Sequence, residues 1–346
     1  MANNNENNVD NNSLKKENIK RKKDSRLKNS LIIFTCILGG LILVGLVAQS
    51  VNLSIFGDTK GYNTDGPYIA TVYVEGTISS GQTDVFGLPL GYQHQWTLDK
   101  INEFIYDSDN KGLLVFIDSR GGGVYESDEL YLKLNEYKEI TNRPVYAVMG
   151  SMAASGGYYI AAAADKIIAN RNTWTGSIGV TIGTLYDISE LLDRYGVKTV
   201  TITSGENKAM GSSVNPLTKE QQDIFQALID EAYDQFVGIV AEERNIEIDK
   251  ARKIADGRIY TAKQALELGL LDKIGTIDDA IYDMSETYDL WECDIVDVIY
   301  TDSSFLRSLV GNVKIPDLWG GDVSAVLKIV EGNNKFPISY QCEILN

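Results

Sequence analysis

The segment Gly150-Ser-Met-Ala-Ala-Ser-Gly-Gly-Tyr-Tyr159 combines a serine with very small neighbours. Ser155 stands between Ala154 and Gly156, so a substrate carbonyl group can approach its hydroxyl without steric hindrance. A strand-like run precedes the segment, and the small residues of Tyr158–Ala164 are typical of a helix. A serine at such a strand-to-helix turn is a candidate nucleophile, because free amides at the helix start can stabilise an oxyanion. The alternative is a serine that caps a helix packed tightly on a sheet.

The single histidine of the chain, His94, limits the bases that could activate this serine. A Ser-His-Asp or Cys-His site would have to use it. His94 lies in Gly91-Tyr-Gln-His-Gln-Trp96, a loop-like stretch with no catalytic signature, and we expect an ordinary surface histidine. If Ser155 is a nucleophile, its base is therefore a lysine or a carboxylate.

Charge and cysteine content exclude several classes of function. The 346 residues carry a net charge of -16, yet residues 1–29 hold eight Lys/Arg against four Asp/Glu. The remainder is strongly acidic, which argues against a nucleic-acid partner. The spacing of Cys36, Cys293 and Cys342 has no zinc-site pattern, so we expect no metal. Cys293 and Cys342 could pair if they face an oxidising compartment.

An uncharged run of 18 residues, Leu31–Ala48, follows the basic cluster Lys15–Lys28. This length can just span a bilayer. A signal peptide is the alternative, but Ala48-Gln-Ser50 is a poor cleavage site and the run is long for a signal sequence. We therefore predict a basic cytoplasmic tail over 1–29, a transmembrane anchor over 30–50 and a linker over 51–66. The positive-inside rule places residue 50 onward outside the cytoplasm.

Strands and helices alternate over the rest of the chain, which predicts an α/β layered fold. The strand-like runs are Tyr68–Glu75, Gly112–Ile117, Pro144–Met149, Lys166–Ala169, Lys198–Thr203 and Cys293–Tyr300. The helical runs are Leu98–Tyr106, Val124–Tyr137, Tyr158–Ala164, Ile188–Tyr195, Thr218–Arg244, Ile248–Asp256 and Ala262–Leu268. Thr218-Lys-Glu-Gln221 is a capping box that should begin the longest helix.

Three glycine-bearing turns, Gly121–Gly123, Gly150–Gly157 and Gly176–Gly179, each follow a predicted strand. In an α/β fold such turns gather at one edge of the sheet. Glycines allow the backbone to approach a ligand closely and direct amides towards it. None of the three matches a phosphate-binding pattern. Amides that bind a carbonyl oxygen are the better interpretation.

Five motifs in this order resemble the signal peptide peptidase A family, which shares the ClpP/crotonase fold. They are Gly112–Gly123, Met152–Tyr159, Thr175–Val180, Ser204–Lys208, and Asp256–Thr261 followed by Ala265–Asp272. The resemblance runs from about Tyr68 to about Ser285 and matches the short, one-copy form of the family. It implies repeated β-β-α units preceded by one transmembrane helix. The peptidase domain would cover 67–287, with a C-terminal extension of unknown role over 288–346.

The resemblance also assigns roles to individual residues. It makes Ser155 the nucleophile, Lys208 the general base and Ser177 the residue that orients the lysine. The amides of Gly122 and Gly156 would form the oxyanion hole. Without the resemblance, Lys208 would pass for a solvated surface charge and Ser177 for a turn serine. A lysine accepts a proton only in its neutral form, which desolvation favours.

The implied function is a membrane-anchored serine endopeptidase that cleaves remnant signal peptides or similar unfolded apolar peptides at the outer face of the cytoplasmic membrane. The family implies no metal, nucleotide or other cofactor, and it implies ring-like homo-oligomers. The Ser-Lys dyad could form within one chain or between chains. Arg120 stands where the family has a proline, which removes a constraint from the oxyanion turn. The alternatives are a crotonase-type acyl-CoA enzyme and a membrane-anchored scaffold that has lost activity.

Overall fold

Parallel strands form the centre of the fold in the computed structural model of the chain, which describes residues 66–83, 89–300 and 339–341. The predicted tail, anchor and nearly all of the linker lie outside the described residues. Within the described part, no helix has both the length and the apolar character needed to cross a membrane.

Six of the eight strands of the main sheet follow one spatial order, in which neighbouring strands are parallel. From edge to edge the strands are β10 (Lys273–Ile274), β7 (Lys166–Ala169), β6 (Val145–Ala154), β4 (Asn110–Ser119), β1 (Tyr68–Glu75) and β11 (Asp294–Val298). The shorter strands are β2 (Gln82–Thr83), β3 (Pro89–Leu90), β5 (Gly121–Gly123), β8 (Trp174–Gly176), β9 (Ile259–Thr261) and β12 (Ser339–Gln341). The mixed α/β class predicted from the sequence is confirmed.

The described residues contain a helix at each of the seven predicted places and an eighth helix, Ile277–Tyr288, that was not predicted. They are α1 (His94–Tyr106), α2 (Val124–Thr141), α3 (Gly156–Ala162), α4 (Ser189–Arg194), α5 (Lys219–Glu243), α6 (Ile248–Ile254), α7 (Ala262–Leu268) and α8 (Ile277–Tyr288). The capping box predicted at Thr218 is confirmed, since its side chain accepts from the Gln221 amide and Gln221 returns the bond.

The main sheet is buried on both faces. Along β1, Tyr68 and Ala70 join a core cluster that includes Phe104 of α1 and Phe236 of α5, whereas Ile69 joins a separate cluster with Met284 of α8. Successive side chains of a strand point to opposite faces, so both clusters are filled by the same strands. A parallel sheet covered on both faces explains the near-continuous apolar runs seen in the sequence.

Strand β6 is longer than predicted and has two different partners. Its first half pairs with β7 from Tyr146 to Met149, and its second half pairs with β8 from Met152 to Ala154. The sequence suggested a turn from Gly150 onward, because its small residues resemble a loop. The second half is a strand because β8 supplies a new ladder, which is a contact that local sequence does not reveal.

The strand predicted over Lys198–Thr203 is wrong. These residues have no assigned regular structure, and Val200 and Ile202 are 84% and 92% exposed. Their β-branched side chains favour an extended backbone, but a strand also needs a ladder partner, and none exists for this segment in the described residues.

Candidate active site

Ser155 occupies the single residue between β6 and α3. Its backbone has φ 55° and ψ -119°, and only 1% of the residue is exposed. A positive φ is uncommon for a residue other than glycine and costs free energy, so the surrounding structure must hold it in place. The Ser155 amide donates a 2.7 Å bond to the Gly176 carbonyl. A strained serine at a strand-to-helix turn is the backbone arrangement of the nucleophile elbow in serine hydrolases.

Ser177 lies beside Ser155 because their strands pair directly. Ala154 is opposite Gly176 in the ladder between β6 and β8, so the next residue of each strand is adjacent. Ser177 also has a positive φ, 49°, and is 7% exposed. Its amide donates a 2.8 Å bond to the carbonyl of Arg258, which fixes the backbone after β8. The structure therefore brings together these two of the predicted site residues.

The two glycines of the predicted oxyanion hole are also neighbours. A β-carbon on Gly156 would lie 3.3 Å from the Gly122 nitrogen and 2.4 Å from the Ser127 hydroxyl. A β-carbon on Gly122 would lie 1.9 Å from the carbonyl oxygen of Ile78. At Gly122 a β-carbon would clash with the backbone of a neighbouring segment, and at Gly156 it would clash with the Ser127 hydroxyl, so a larger residue at either position forces these neighbours to move. The amides of both glycines are thus placed beside the nucleophile turn.

Two buried serines that the sequence analysis did not single out hold strand β5. The Ser119 hydroxyl donates to the Gly76 carbonyl at 2.5 Å and accepts from the Gly121 amide at 3.0 Å. The Ser127 hydroxyl donates to the Gly123 carbonyl at 2.8 Å. Ser119 is the serine of the Ser-x-Gly-Gly-Gly turn within Gly112–Gly123, but no role was predicted for its side chain. Ser127 has no sequence signal, because its role depends on the packing of α2.

Replacement of Ser119 by alanine should lower kcat about fivefold and leave KM nearly unchanged, because one buried hydrogen bond of about 1 kcal/mol would no longer fix β5. Steady-state hydrolysis of a fluorogenic peptide measures both constants. The exposed Ser108 provides the control, and Ser108→Ala should match the wild type. An equal effect of the two substitutions would refute a positioning role for Ser119.

Lys208 is not joined to this group of residues in the single chain. It is exposed, and its amide donates to the carbonyl of Gly205 in a turn. No hydrogen bond connects it to Ser155 within the described part of the chain. Lys208 lies in the stretch between β8 and α5, where α4 is the one described helix and no strand is described. The structure thus brings together Ser155, Ser177 and the two glycines, but not the predicted base.

His94 is a buried residue, which corrects the expectation of a surface histidine. It begins α1, is 4% exposed and places Nε2 2.8 Å from a Glu129 carboxylate oxygen. Its Nδ1 lies 2.9 Å from the Tyr92 hydroxyl. The hydrogen bond with His94 is the main reason that the pKa of Glu129 lies below its usual value. Both ring nitrogens are therefore engaged in structural contacts.

The contact between His94 and Glu129 should make the stability of the fold depend on pH. Because Glu129 has a lowered pKa in the folded chain, its ionised form stabilises the fold above the pKa of the unfolded state. That contribution is lost as the pH falls through the folded-state pKa. We expect Glu129→Gln to lower the thermal midpoint at pH 7 and to have a smaller effect at pH 3. Equal shifts at both pH values, or a large loss of peptidase activity, would contradict this role.

Among the described residues, no three His, Cys, Asp or Glu side chains are grouped so that they could hold a metal ion. Cys293 is half-buried with a free thiol, and burial raises its pKa. The pairing with Cys342 that the sequence leaves open involves a residue outside the described part. The chemistry of the assembled site is that of its serines and glycine amides.

The chain is similar in sequence to several known proteins. Residues 138–290 match the model of peptidase family S49. A protein of Enterococcus faecium assigned as signal peptide peptidase SppA is 37% identical over 254 residues, which cover 73% of this chain and 72% of the relative. A chloroplastic serine protease SPPA of Arabidopsis thaliana is 34% identical over 53% of this chain and 27% of its own length.

Solved structures were also compared with the chain. A membrane-bound stomatin-specific protease aligns over 69% of this chain and 100% of its own, with 12% identity and a TM-score of 0.43. A ClpP1 of Listeria monocytogenes aligns over 61% of this chain and 94% of its own, with 16% identity and a TM-score of 0.39.

The extent and identity of these sequence matches show the family. Membership of a peptidase family favours peptide hydrolysis over acyl-CoA chemistry. The strained Ser155 and the close glycine amides are what such chemistry requires. The chain is therefore a member of peptidase family S49, to which the signal peptide peptidase A proteins belong, and it is a serine peptidase.

Proposed function

We propose that this chain is a serine endopeptidase with a Ser-Lys dyad, in which Ser155 attacks the peptide carbonyl and Lys208 is the general base. The observation that carries the proposal is the buried, positive-φ serine next to two glycine amides. Ser177, held beside Ser155, orients the lysine amine. The substrates are remnant signal peptides or similar unfolded apolar peptides.

The reaction follows from these placements. Neutral Lys208 takes the proton of the Ser155 hydroxyl as its oxygen bonds to the substrate carbonyl carbon. The amides of Gly122 and Gly156 donate to the oxyanion that develops, and a lost donor of this kind costs about 10²–10³ in turnover. The protonated lysine then gives its proton to the leaving amine. In the second half of the reaction, Lys208 takes a proton from water as the water oxygen bonds to the acyl carbon. It then gives that proton to the Ser155 oxygen, which leaves.

Completion of the dyad requires a change in the surroundings of Lys208. A lysine in water stays protonated at neutral pH, so an exposed amine is a poor base. The same stretch exposes large apolar side chains, including Tyr195 at 77%, Val200 at 84% and Ile202 at 92%. We propose that neighbouring copies in a ring-like homo-oligomer cover this surface and desolvate the lysine. Clusters of exposed apolar side chains are typical of interaction sites.

The membrane location follows from residues outside the described part. The basic cluster before Leu31 and the uncharged run to Ala48 would make a single-pass anchor with its N-terminus in the cytoplasm. The peptidase domain would then face the extracytoplasmic side. Protease added to intact cells without a wall should digest this domain, and complete protection would refute the orientation.

A serine-reactive fluorophosphonate probe and a mixing experiment test the proposal. The probe should label the wild type at Ser155, identified by mass spectrometry, and should leave Ser155→Ala unlabelled. Mixing inactive Ser155→Ala chains with inactive Lys208→Ala chains should restore activity if the dyad forms between copies. Activity that never appears in the mixture would place the dyad within one chain. Labelling of a different serine would overturn the assignment of the nucleophile.

A further inference from the structure

A cavity of about 420 Å³ opens at the carboxyl end of β1, between the start of α1 and the end of β11. Its lining includes four aromatic residues, Tyr73, Tyr92, Trp96 and Tyr300. The rings of Trp96 and Tyr300 meet at 84° with centroids 5.5 Å apart, so they form two walls of a corner. The volume is in the range of pockets that bind small ligands. This aromatic pocket contains none of the residues assigned above to peptide hydrolysis.

The charge around the aromatic pocket is negative. Glu75 lines it, and no lysine, arginine or histidine is among the described residues that do so. The Tyr73 hydroxyl donates to an Asp297 carboxylate oxygen at 2.6 Å. Burial raises the pKa of Tyr73, and the hydrogen bond to Asp297 and the charges of Asp297 and Glu75 raise it further. Burial and then nearby carboxylates raise the pKa of Tyr92 in the same way.

The start of α1 opposes this negative charge only in part. Gln93 is the N-cap of this helix and Trp96 lies in its first turn, and both line the pocket. A helix carries about half a positive charge at this end, which is less than the two full charges of Glu75 and Asp297. An anion would have to approach both carboxylates, whereas a cation meets them together with the negative faces of aromatic rings. The chemistry of the pocket therefore favours a cation.

The pocket wall at Glu75 continues into the segment that holds strand β5. Ile78 follows three residues later, donates to the Gly121 carbonyl at 3.0 Å and accepts from the Gly123 amide at 2.8 Å. Three residues of extended chain span at most about 10 Å. A peptide that lies along β5 advances about 3.3 Å per residue. A side chain about three to five residues from the bond cleaved beside Gly122 can therefore reach the pocket.

We propose that the aromatic pocket binds a lysine or arginine side chain of an extended peptide, and that it selects substrates with a basic residue at a fixed distance from the cleaved bond. This inference rests on the proposed function and extends it to specificity. The carboxylate of Glu75 and the faces of Trp96 and Tyr300 hold the cation. Remnant signal peptides offer such a residue, because the region before their apolar segment is positively charged.

The test compares pairs of fluorogenic peptides that differ at one position. In each pair, one peptide has a single lysine between two and six residues from the cleaved bond, on one side or the other, and its partner has norleucine there. We expect one position at which lysine lowers KM about fivefold to tenfold relative to norleucine, with kcat nearly unchanged. A similar gain at every position would reflect general attraction of basic peptides to an acidic chain. That result, or no gain at any position, would overturn the inference.

Variants of the full chain locate the effect. Glu75→Gln removes the charge of an exposed side chain, and Tyr300→Leu keeps an apolar residue but removes the ring. Each should abolish most of the preference for lysine and leave KM for the norleucine peptide unchanged. Glu292→Gln removes an exposed charge before the opposite end of β11 and should keep the full preference. Equal losses of preference in Glu75→Gln and Glu292→Gln would refute the pocket.

A binding measurement separates this inference from the proposed function. Each lysine peptide and its norleucine partner are labelled, and their fluorescence anisotropy is followed with the full Ser155→Ala chain, which lacks the proposed nucleophile. We expect one lysine peptide to bind about fivefold to tenfold more tightly than its partner, and Glu75→Gln in the same chain to remove the difference. Equal affinities in every pair, or no binding of any peptide, would overturn the pocket. If no variant hydrolyses any peptide, the proposed function fails while this measurement still decides the inference.

Discussion

Replacement of Ser155 by alanine is expected to lower kcat by about 10⁴ or more, because the hydroxyl that forms the acyl-enzyme is lost. Lys208→Ala should cause a loss of similar size. The double variant should be no worse than either single variant, since a nucleophile and its base act as one unit. Steady-state hydrolysis of the fluorogenic peptide over a wide range of enzyme concentration measures all three.

A matched control for the lysine lies on the same exposed stretch. Lys198 is also an exposed lysine, and Lys198→Ala should retain wild-type turnover. Circular dichroism of each variant checks that the fold is intact. If Lys198→Ala and Lys208→Ala lose activity equally, the loss reflects the positive charge of the stretch, and Lys208 is not the base.

Replacement of Gly122 by alanine is expected to lower kcat by about 10²–10³, the cost of one misplaced oxyanion donor. The new β-carbon would stand 1.9 Å from the carbonyl oxygen and 2.6 Å from the carbonyl carbon of Ile78. These are backbone atoms of a neighbouring segment, so β5 itself must move. The thermal midpoint should fall as well, because the ladder around β5 is strained.

Gly238 supplies the control for this substitution. It lies within α5, and a β-carbon there would meet no atom within 4 Å apart from the backbone of its own helix. Gly238→Ala should leave kcat unchanged and stabilise the chain by up to about 1 kcal/mol, since alanine has the higher helix propensity. A Gly122→Ala variant with wild-type kcat would remove that amide from the mechanism.

The elements that local sequence determines were predicted well. Tyr68–Glu75 and Lys166–Ala169 are strands with the predicted bounds, because their β-branched and apolar residues fit a buried parallel sheet. The capping box at Thr218 depends only on Thr218 and Gln221, which are three positions apart in the sequence. The placement of Ser155 also followed from local features, namely a strand, a small-residue turn and a helix.

Several features that the sequence analysis missed depend on contacts between distant segments. His94 is buried because Glu129, 35 residues away, meets its ring. The strand β12 exists because Tyr340 enters a pocket made by helices that lie far from it along the chain. The positive φ of Ser155 cannot be inferred from its residue type, which seldom adopts it.

Strand β6 pairs with β4 and β7 as well as with β8. These pairings should determine how the Ser155 amide exchanges its hydrogen with solvent. The Ser155 amide, bonded to Gly176, should exchange only when the core unfolds, because opening the ladder disturbs buried strands. The amides of 197–203 have no ladder and should exchange through small local openings. The backbone of the proposed nucleophile thus has the thermodynamic protection of the whole core, whereas the segment that leads to Lys208 has the protection of a loop.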